Sequence, residues 1–515
     1  MAGRILVTVF HGLARAMRYV IGLDTSTTGS KALLIDADGQ VAGSSVTPHA
    51  LMVTDPQWSE QDPADWWDAT RQSIQKVLSV TSVPASAVRT VGLTGQMHGL
   101  VILGSNGRVL RPAMLWNDGR SQAQCEAIRD VVGLQRLVAI TGNDAFAGFT
   151  APKLLWVRDH EPAVYEQVAQ VLLPKDYIRY RLTGGFATDK AGAGGTLLLD
   201  LAARGWSGEL METLSIPSGW LPPTFEGPEV TGLVSGAGAR ATGLCAGTPV
   251  VAGGGDQAAQ AVGVGAITPD VWTLTLGTSG VVFAPCTKPL QDAAGRAHAF
   301  PHAMPDRWHM MGVMLSAAGS LAWYHDTFCG RHSYSELLDE AGAIAPGADG
   351  LMFLPYLTGE RTPHADPLAT GAFVGLTRMH GRGHMTRAIL EGVAFGLRDN
   401  LLLLQDTGLA APREVRISGG GARSPLWRQI LADVLQVELK AVRVTEGAAL
   451  GAALLAGVSA GFWSSVEEAC EEVVSTRGTT RPGPHSDVYK DRHRRFASLY
   501  ECLKPFYHAE RYFAG

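Results

Sequence analysis

Apolar runs that end in polar, glycine-containing turns recur along this chain. The run YVIGLD begins at Tyr19, and the turn TSTTGS separates it from a second run, KALLIDADG. Two apolar runs around a short polar turn are typical of a β-hairpin. The arrangement returns in the other half of the chain, where residues 273–276 and 281–283 flank a Gly-Thr-Ser-Gly turn. The recurrence predicts an internally duplicated protein.

Other apolar runs lead through glycines into helix-like sequence. They are TVGLTGQMHG, PVVAGGGDQ and VRISGGGARS, and the last two continue into helical patterns. Strands that alternate with helices in both halves predict α/β layers rather than a β-sandwich or a helical bundle. The helical stretch DQAAQAVGVGAI ends at Thr268 and Pro269, just before the second hairpin. We therefore predict one domain over residues 18–265 and another over residues 266–515.

The first 17 residues precede the first predicted strand. MAGRILVTVFHGLARAM resembles a signal peptide, but its apolar stretch is short and the strand follows almost immediately. We favour Met17 as the natural start, with residues 1–17 as a disordered extension.

Charge and cysteine content exclude several classes of protein. Lys and Arg total 43 against 48 Asp and Glu, a net charge of -5, which argues against a nucleic-acid or anionic-membrane partner. The six cysteines contain no CxxC pair, which favours reduced thiols over a disulfide framework or a zinc site. The sequence contains no run of 18 apolar residues, so it predicts no membrane span. A cytoplasmic globular protein is the interpretation that fits these features.

The two hairpin turns are rich in Gly, Ser and Thr. Such turns offer backbone N–H groups and hydroxyls that can surround a phosphate. A single turn of this kind is usually an ordinary turn. Because the feature occurs twice, we predict that two facing turns bind a triphosphate.

Two aspartates stand where predicted strands end. Asp24 adjoins the first turn, where it could bind Mg²⁺ through water beside a phosphate, or could close the hairpin as an Asx turn. Asp256 follows PVVAGGG at a strand end, where it could act as a general base or as a helix N-cap. The residues alone leave both pairs of alternatives open.

Two further glycine-flanked sites suggest ligand contacts. His98 lies at a strand end in GQMHG, a position exposed enough to touch a ligand, although most single histidines are structural. ISGGGARSPLWRQILAD lacks the G-x-G-x-x-G fingerprint of dinucleotide sites. Its glycines suit a turn that lets a purine lie against bare backbone.

Two long segments resemble the signatures of one protein family. GFTAPKLLWVRDH, residues 148–160, and GAFVGLTRMHGRGHMTRAILE, residues 371–391, resemble the two signatures of the FGGY carbohydrate kinases, in the family's order. The resemblance runs from Tyr19 into the C-terminal helices. It implies an α/β fold of duplicated actin-like ATPase domains, related to ribonuclease H, that face a central cleft. It also implies ATP as phosphoryl donor and Mg²⁺ as cofactor.

Shorter segments resemble the family members that phosphorylate D-xylulose. These are WSEQDPADWW, GQMHG, RPAMLWNDGR, LLPKDYIRYRLTG and FLPYLTGERTPH. The resemblance implies phosphorylation at the C5 hydroxyl, with Asp256 as proton acceptor and with Asp24 and Asp256 at the metal. The implied sugar contacts are Met97, His98, Trp116, Asp256 and Gln257. The implied nucleotide contacts are Thr25, Ser26, Thr27, Gly277, Thr278, Ser279, Trp323, Gly420, Gly421 and Ser424. Gln257 departs from the Asn that many of these members have after the catalytic Asp.

Two other functions stay open at this stage. One is phosphorylation of a different acceptor, such as ribulose, gluconate, glycerol or a deoxy-ketose. The other is a non-catalytic actin-like ATP-binding module, although such a module has no reason to keep GQMHG and LWNDGR together. The family resemblance also suggests a homodimer.

Overall fold

The computed structural model describes residues 18–55, 57–443 and 446–509. The predicted extension over residues 1–17 lies outside the described residues. In the first half of the chain the structure contains a seven-stranded sheet. In spatial order its strands are Val230–Leu233, Pro249–Val251, Val88–Gly95, Tyr19–Thr25, Gly29–Asp36 and Val41–Pro48, with Gly254–Gly255 also paired to Val88–Gly95.

A second seven-stranded sheet follows in the other half. Its strands, in spatial order, are His298–Pro301, Trp308–Met314, Gly280–Cys286, Val271–Leu276, Glu414–Ser418, Glu438–Val442 and Thr476–Thr480. Five small two-stranded sheets accompany these two within the described ranges. They pair Glu60–Gln61 with Ala113–Met114, Val101–Leu103 with Gln170–Leu172, Thr188–Asp189 with Thr224–Phe225, Leu199–Asp200 with Gly205–Trp206, and Met352–Leu354 with Ala372–Val374.

The two large sheets share one connectivity. In each, an antiparallel hairpin and a third antiparallel strand are extended on the other side by two parallel strands. A helix follows the last parallel strand in both, Asp256–Gly263 in the first half and Ala448–Ser459 in the second. The structure thus confirms the predicted duplication and is the duplicated actin-like ATPase architecture.

Helices cover the sheets and join their strands. In the first half they are Pro63–Thr81, Gln122–Val132, Leu134–Thr141, Thr150–His160, Pro162–Tyr165, Pro174–Thr183, Lys190–Gly194, Gly208–Thr213, Gly236–Thr242 and Asp256–Gly263. In the second half they are Ala318–Tyr324, Tyr334–Gly342, Arg382–Asp406, Pro425–Leu435, Ala448–Ser459, Val466–Val473 and Ser486–His508. None of the helices in the described part of the chain has the length and apolar character needed to cross a membrane.

The Ala448–Ser459 helix joins the halves, because it packs on the first sheet and on the Asp256–Gly263 helix. Glycines allow this close approach. A Cβ built on Gly22 would stand 2.0 Å from the Ala449 carbonyl oxygen, and one on Gly451 would stand 1.7 Å from the Ala259 carbonyl oxygen. The helix that carries Asp256 is therefore held from both halves of the molecule.

Candidate functional site

The first hairpin turn is closed by Ser26 rather than by Asp24. The Ser26 amide donates to the Gly29 carbonyl at 3.0 Å, and the Ser26 hydroxyl donates to the same oxygen at 2.8 Å. The Oδ1 atom of Asp24 is buried and has no hydrogen-bond partner among the described residues. The Asx-turn interpretation of Asp24 is therefore wrong, and its carboxylate is left available for a ligand.

Burial and charge act in opposite directions on Asp24. Burial disfavours the ionised carboxylate and raises its pKa to about 6, while the positive charge of Lys31 partly offsets that rise. Lys31 lies opposite Asp24 in the hairpin and forms an ion pair with Glu446. An unpartnered carboxylate of this kind gains from a cation placed against it.

Asp256 lies at the end of the glycine run that pairs with the Val88–Gly95 strand. The helix N-cap is Gly255, so Asp256 is the first helical residue and does not fill the N-cap position. Its Oδ1 accepts a hydrogen bond from the backbone N–H of Gln257 at 2.7 Å. Burial first, and the Asp24 charge second, raise the pKa of Asp256 to about 7, against the lowering effect of Gln257. A carboxylate with this pKa is suited to accept a proton near neutral pH.

His98 is held as a neutral ring with one nitrogen free for a ligand. Its Nδ1 lies 2.8 Å from the Gly195 carbonyl oxygen, which can only accept, so Nδ1 carries the proton. Burial lowers the pKa of His98 to about 3. The ring packs against Phe149, with the ring centres 4.8 Å apart. Nε2 of the neutral ring is thus left to accept a hydrogen bond from a hydroxyl group.

Met97 connects His98 to the backbone beside Asp256. A Cβ on Gly255 would come within 2.8 Å of the Met97 side chain, and one on Gly195 would meet both His98 and Met97. The glycines at these positions let the side chains close over the strand ends. Met97, His98 and the backbone before Asp256 therefore form one continuous surface.

Trp116 contacts the first hairpin turn. Its indole N–H donates to the Thr27 hydroxyl at 3.1 Å. The Thr27 hydroxyl in turn lies 3.5 Å from Oε1 of Gln96, and the backbone N–H of Gln96 donates to the Thr25 carbonyl at 2.9 Å. The structure thus brings together the predicted phosphate turn and a predicted sugar contact. Gln96 completes this link and was not singled out from the sequence, although it lies within GQMHG.

The second hairpin turn is held by the start of the Ala318–Tyr324 helix. The Ala318 amide donates to the Gly277 carbonyl, and the Ala317 amide donates to the Thr278 carbonyl, both at 2.8 Å. Across the sheet, Gln260 from the helix that begins at Asp256 donates to the Thr275 hydroxyl at 2.8 Å. The strand that leads to the second turn is therefore tied to the helix that carries Asp256.

A cavity of about 780 Å³ opens beside the glycine turn after the Glu414–Ser418 strand. Gly420 and Gly419 line it, as do Arg423 and Arg477. Gly421 instead faces Leu276, and Ser424 caps the next helix by accepting the Trp427 amide at 3.2 Å.

Trp323 lies apart from that cavity. Its ring stacks on Phe353 with the centres 6.3 Å apart, and Trp323 is 36% exposed. It is not among the cavity's lining residues. Its place in an adenosine pocket stays a prediction that depends on the resemblance.

The described residues contain no cluster of three or more His, Cys, Asp or Glu side chains that could hold a metal ion. They do contain the electrostatically coupled pair Asp24 and Asp256, with the unpartnered Oδ1 of Asp24. Two carboxylates fit a magnesium ion that takes its other ligands from phosphates and water, as Mg²⁺ at nucleotide sites commonly does.

Two family models match the chain. Residues 19–263 match the N-terminal domain, and residues 273–460 the C-terminal domain, of the FGGY family of carbohydrate kinases. The xylulose kinase of Escherichia coli (strain K12) is 42% identical over 486 residues, which cover 94% of this chain and 99% of that relative. A solved xyloylose kinase from Brucella ovis is 38% identical, with a TM-score of 0.90 over 95% of this chain and all of that one. A solved gluconate kinase from Lactobacillus acidophilus is 28% identical, with a TM-score of 0.91 over 95% of this chain and 99% of that one.

Proposed function

The chain belongs to the FGGY family of carbohydrate kinases, and from that premise we propose that it phosphorylates D-xylulose at the C5 hydroxyl with ATP. The products are D-xylulose 5-phosphate and ADP. Xylulose kinases stand among its relatives at 35 to 42% identity over nearly the whole chain. The observation that carries the catalytic proposal is Asp256, whose raised pKa and place beside Met97 and His98 suit a proton acceptor for a sugar alcohol.

In the proposed reaction, the C5 oxygen attacks the γ-phosphorus, the bond from that phosphorus to the β,γ-bridging oxygen breaks to release ADP, and the hydroxyl proton passes to the Asp256 carboxylate. Nε2 of His98 accepts a hydrogen bond from another sugar hydroxyl, and Met97, Trp116 and Gln257 line the ketose. Removing the proton as the new O–P bond forms typically contributes about 10²- to 10⁴-fold in rate. The neutral His98 ring orients the sugar without competing for that proton.

The nucleotide is proposed to lie between the two hairpin turns and the glycine turn. Thr25, Ser26 and Thr27 face its phosphates from one side, and Gly277, Thr278 and Ser279 from the other. Gly420, Gly421, Ser424 and Trp323 are proposed for adenosine. Asp24 and Asp256 would hold Mg²⁺, which neutralises phosphate charge when bound.

We also propose the domain boundary near residue 265, supported by the first sheet ending at Gly255 and the second beginning at Val271. Closure of the two domains on the ligands would exclude water and limit ATP hydrolysis.

A cytoplasmic location suits the free cysteines of the described chain. A homodimer rests on the family resemblance, and light scattering after size-exclusion chromatography tests it.

Sugar-dependent ADP release tests the proposed substrate. With MgATP, kcat/KM should be at least about tenfold higher for D-xylulose than for ribulose, gluconate or glycerol, because a missing or misplaced hydroxyl loses a hydrogen bond of about 1.4 kcal/mol. Gluconate is the informative competitor, since a gluconate kinase shares the fold at a TM-score of 0.91. A higher kcat/KM for any competitor would identify that compound, and not D-xylulose, as the substrate. No stimulation by any sugar or polyol would favour the ATP-binding module.

Replacing His98 with Asn should raise the KM for D-xylulose about tenfold, the value of one hydrogen bond of about 1.4 kcal/mol. His98 has a positive φ of 69°, a conformation that Asn adopts more readily than Ala, so the backbone is preserved. The KM for ATP should stay within about twofold, because the lost contact is to the sugar. His160→Asn, at an exposed histidine, is the control. An effect confined to ATP would reverse the assignment of the two ligand sites.

The pH profile should report the carboxylates rather than His98. Asp256 must be ionised to accept a proton, so kcat/KM for D-xylulose should fall as the pH drops below its pKa of about 7. His98, with a pKa of about 3, stays neutral over that range and adds no step of its own. Asp24→Asn removes a neighbouring negative charge and should move the acid limb to lower pH. An acid limb that persists unchanged in Asp256→Asn would assign it to another group.

A further inference from the structure

A buried cluster of four charged side chains lies behind the proposed sugar site. It consists of Lys175, Asp176, Arg179 and Asp189, all at most 1% exposed. Lys175 forms ion pairs with Asp176 at 2.5 Å and with Asp189 at 2.6 Å. Two positive and two negative charges balance one another in this cluster, as buried ions require.

Within the cluster, Asp189 is set apart by its contacts with backbone. Its Oδ1 accepts the Gly255 amide at 3.2 Å, immediately before Asp256. The same oxygen accepts the Gly192 amide at 2.7 Å and caps the short Lys190–Gly194 helix. Gly195 follows that helix, and its carbonyl oxygen is the acceptor for Nδ1 of His98. One carboxylate thus binds both the backbone of Gly255, the residue before Asp256, and the short helix that leads to the His98 acceptor.

Arg179 fixes the preceding residues of the same strand end. Its guanidinium donates to the Val251 carbonyl at 2.8 Å and to the Ala252 carbonyl at 2.7 Å. The glycine run between Ala252 and Asp256 has little side-chain packing of its own. Among the described residues, Asp189 is therefore the side chain that hydrogen-bonds this run closest to Asp256.

We propose that Asp189 is a positioning residue for phosphoryl transfer, because its carboxylate aligns the Asp256 backbone and the His98 support as one unit. This inference rests on the proposed function. Asp189 does not contact the substrate itself. Its two hydrogen bonds should affect different kinetic constants. The bond to Gly255 positions the base Asp256 and should affect kcat, whereas the bond to Gly192 positions His98 and should affect the KM for the sugar.

Three substitutions of Asp189 separate the two bonds. Asp189→Ala removes both, and kcat should fall about 10- to 100-fold while the KM for the sugar rises severalfold. Asp189→Ser keeps a helix-capping oxygen but is too short for Gly255, so kcat should fall with the sugar KM nearly unchanged. Asp189→Asn keeps an oxygen that can accept both amides but turns its NH2 group toward the Lys175 ammonium in place of Oδ2, so Tm should fall as in Asp176→Asn while kcat stays within about threefold of wild type.

Asp176→Asn is the matched control. It removes another carboxylate from Lys175 but touches neither Gly255 nor Gly192, so it should lower Tm and leave kcat and both KM values within about twofold. The KM for ATP should stay constant in all four variants. If Asp189→Ala does not fold, Asp189→Ser and Asp189→Asn decide the matter.

Two results would overturn the proposal. One is Asp189→Ser with the same kinetic constants as Asp176→Asn, and the other is kcat in Asp189→Asn as low as in Asp189→Ser. Failure of the proposed substrate would show in the wild-type enzyme as preference for another acceptor. The variants are then compared on that acceptor, so the two failures are distinguishable.

Discussion

Asp256→Asn should lower kcat with D-xylulose by about 10²- to 10⁴-fold, the range that a general base contributes. Asn keeps the shape of the side chain and an oxygen that can accept the Gln257 amide, which lies 2.7 Å from Oδ1 in the wild-type protein. It cannot take up the proton of the sugar alcohol. Folding should be retained, because the substitution removes a carboxylate that burial and Asp24 already disfavour as an anion.

The measurement is kcat at saturating D-xylulose and MgATP, together with Tm and the Kd for ATP. Asp270→Asn is the control, since it removes the same charge at an exposed site. Tm and nucleotide affinity should match wild type in both variants. A kcat within about threefold of wild type in Asp256→Asn would remove this residue from the role of base, because even a weak general base contributes more than that.

Asp24→Asn should lower kcat by about 10²-fold and raise the concentration of Mg²⁺ needed for half-maximal rate, as loss of one electrostatic stabiliser of a transition state commonly does. The reason is the buried Oδ1, which has no hydrogen-bond partner among the described residues, while Lys31 offsets its charge only in part. Asn has no charge to offer a cation beside the phosphates. The sugar KM should change little, because His98 and Met97 remain in place.

A titration of rate against Mg²⁺ at fixed ATP measures this effect. Asp68→Asn serves as its control, because Asp68 is an exposed helical carboxylate that pairs only with Arg71 among the described residues. An unchanged Mg²⁺ dependence in Asp24→Asn, with lowered kcat, would show that Asp24 acts on the phosphates without holding the metal.

The sequence predicted the parts of the fold that local patterns encode. The two hairpins with their Gly, Ser and Thr turns revealed the duplication, because the pattern is short, periodic and repeated. It also located Asp24, His98 and Asp256 at strand ends. The sequence did not settle whether Asp24 closes its turn or whether Asp256 fills an N-cap. Those alternatives differ in which atoms meet, and here Ser26 closes the turn and Gly255 is the N-cap.

Long-range contacts were beyond the sequence patterns. The sequence around Gly451 does not indicate that this residue packs on Ala259, or that its helix packs against the sheet of the first half. Asp189 stands 66 residues from Gly255 in the sequence and was not singled out from it. Its role as a helix cap could be read from an Asp before a small-residue helix, but its second bond depends on the tertiary fold. The rise in the pKa of Asp256 that the Asp24 charge causes likewise depends on the tertiary fold, which brings the two carboxylates near each other.

The proposed mechanism requires a sugar alcohol and the terminal phosphoryl group of ATP to meet at the Asp256 carboxylate. A crystal structure with D-xylulose, Mg²⁺ and a non-hydrolysable ATP analogue tests it most directly. We expect the C5 oxygen within about 2.6 to 3.2 Å of an Asp256 oxygen and in line with the γ-phosphorus. A sugar bound beside Met97 and His98 with Asp256 turned away, and another side chain at the C5 oxygen, would contradict it.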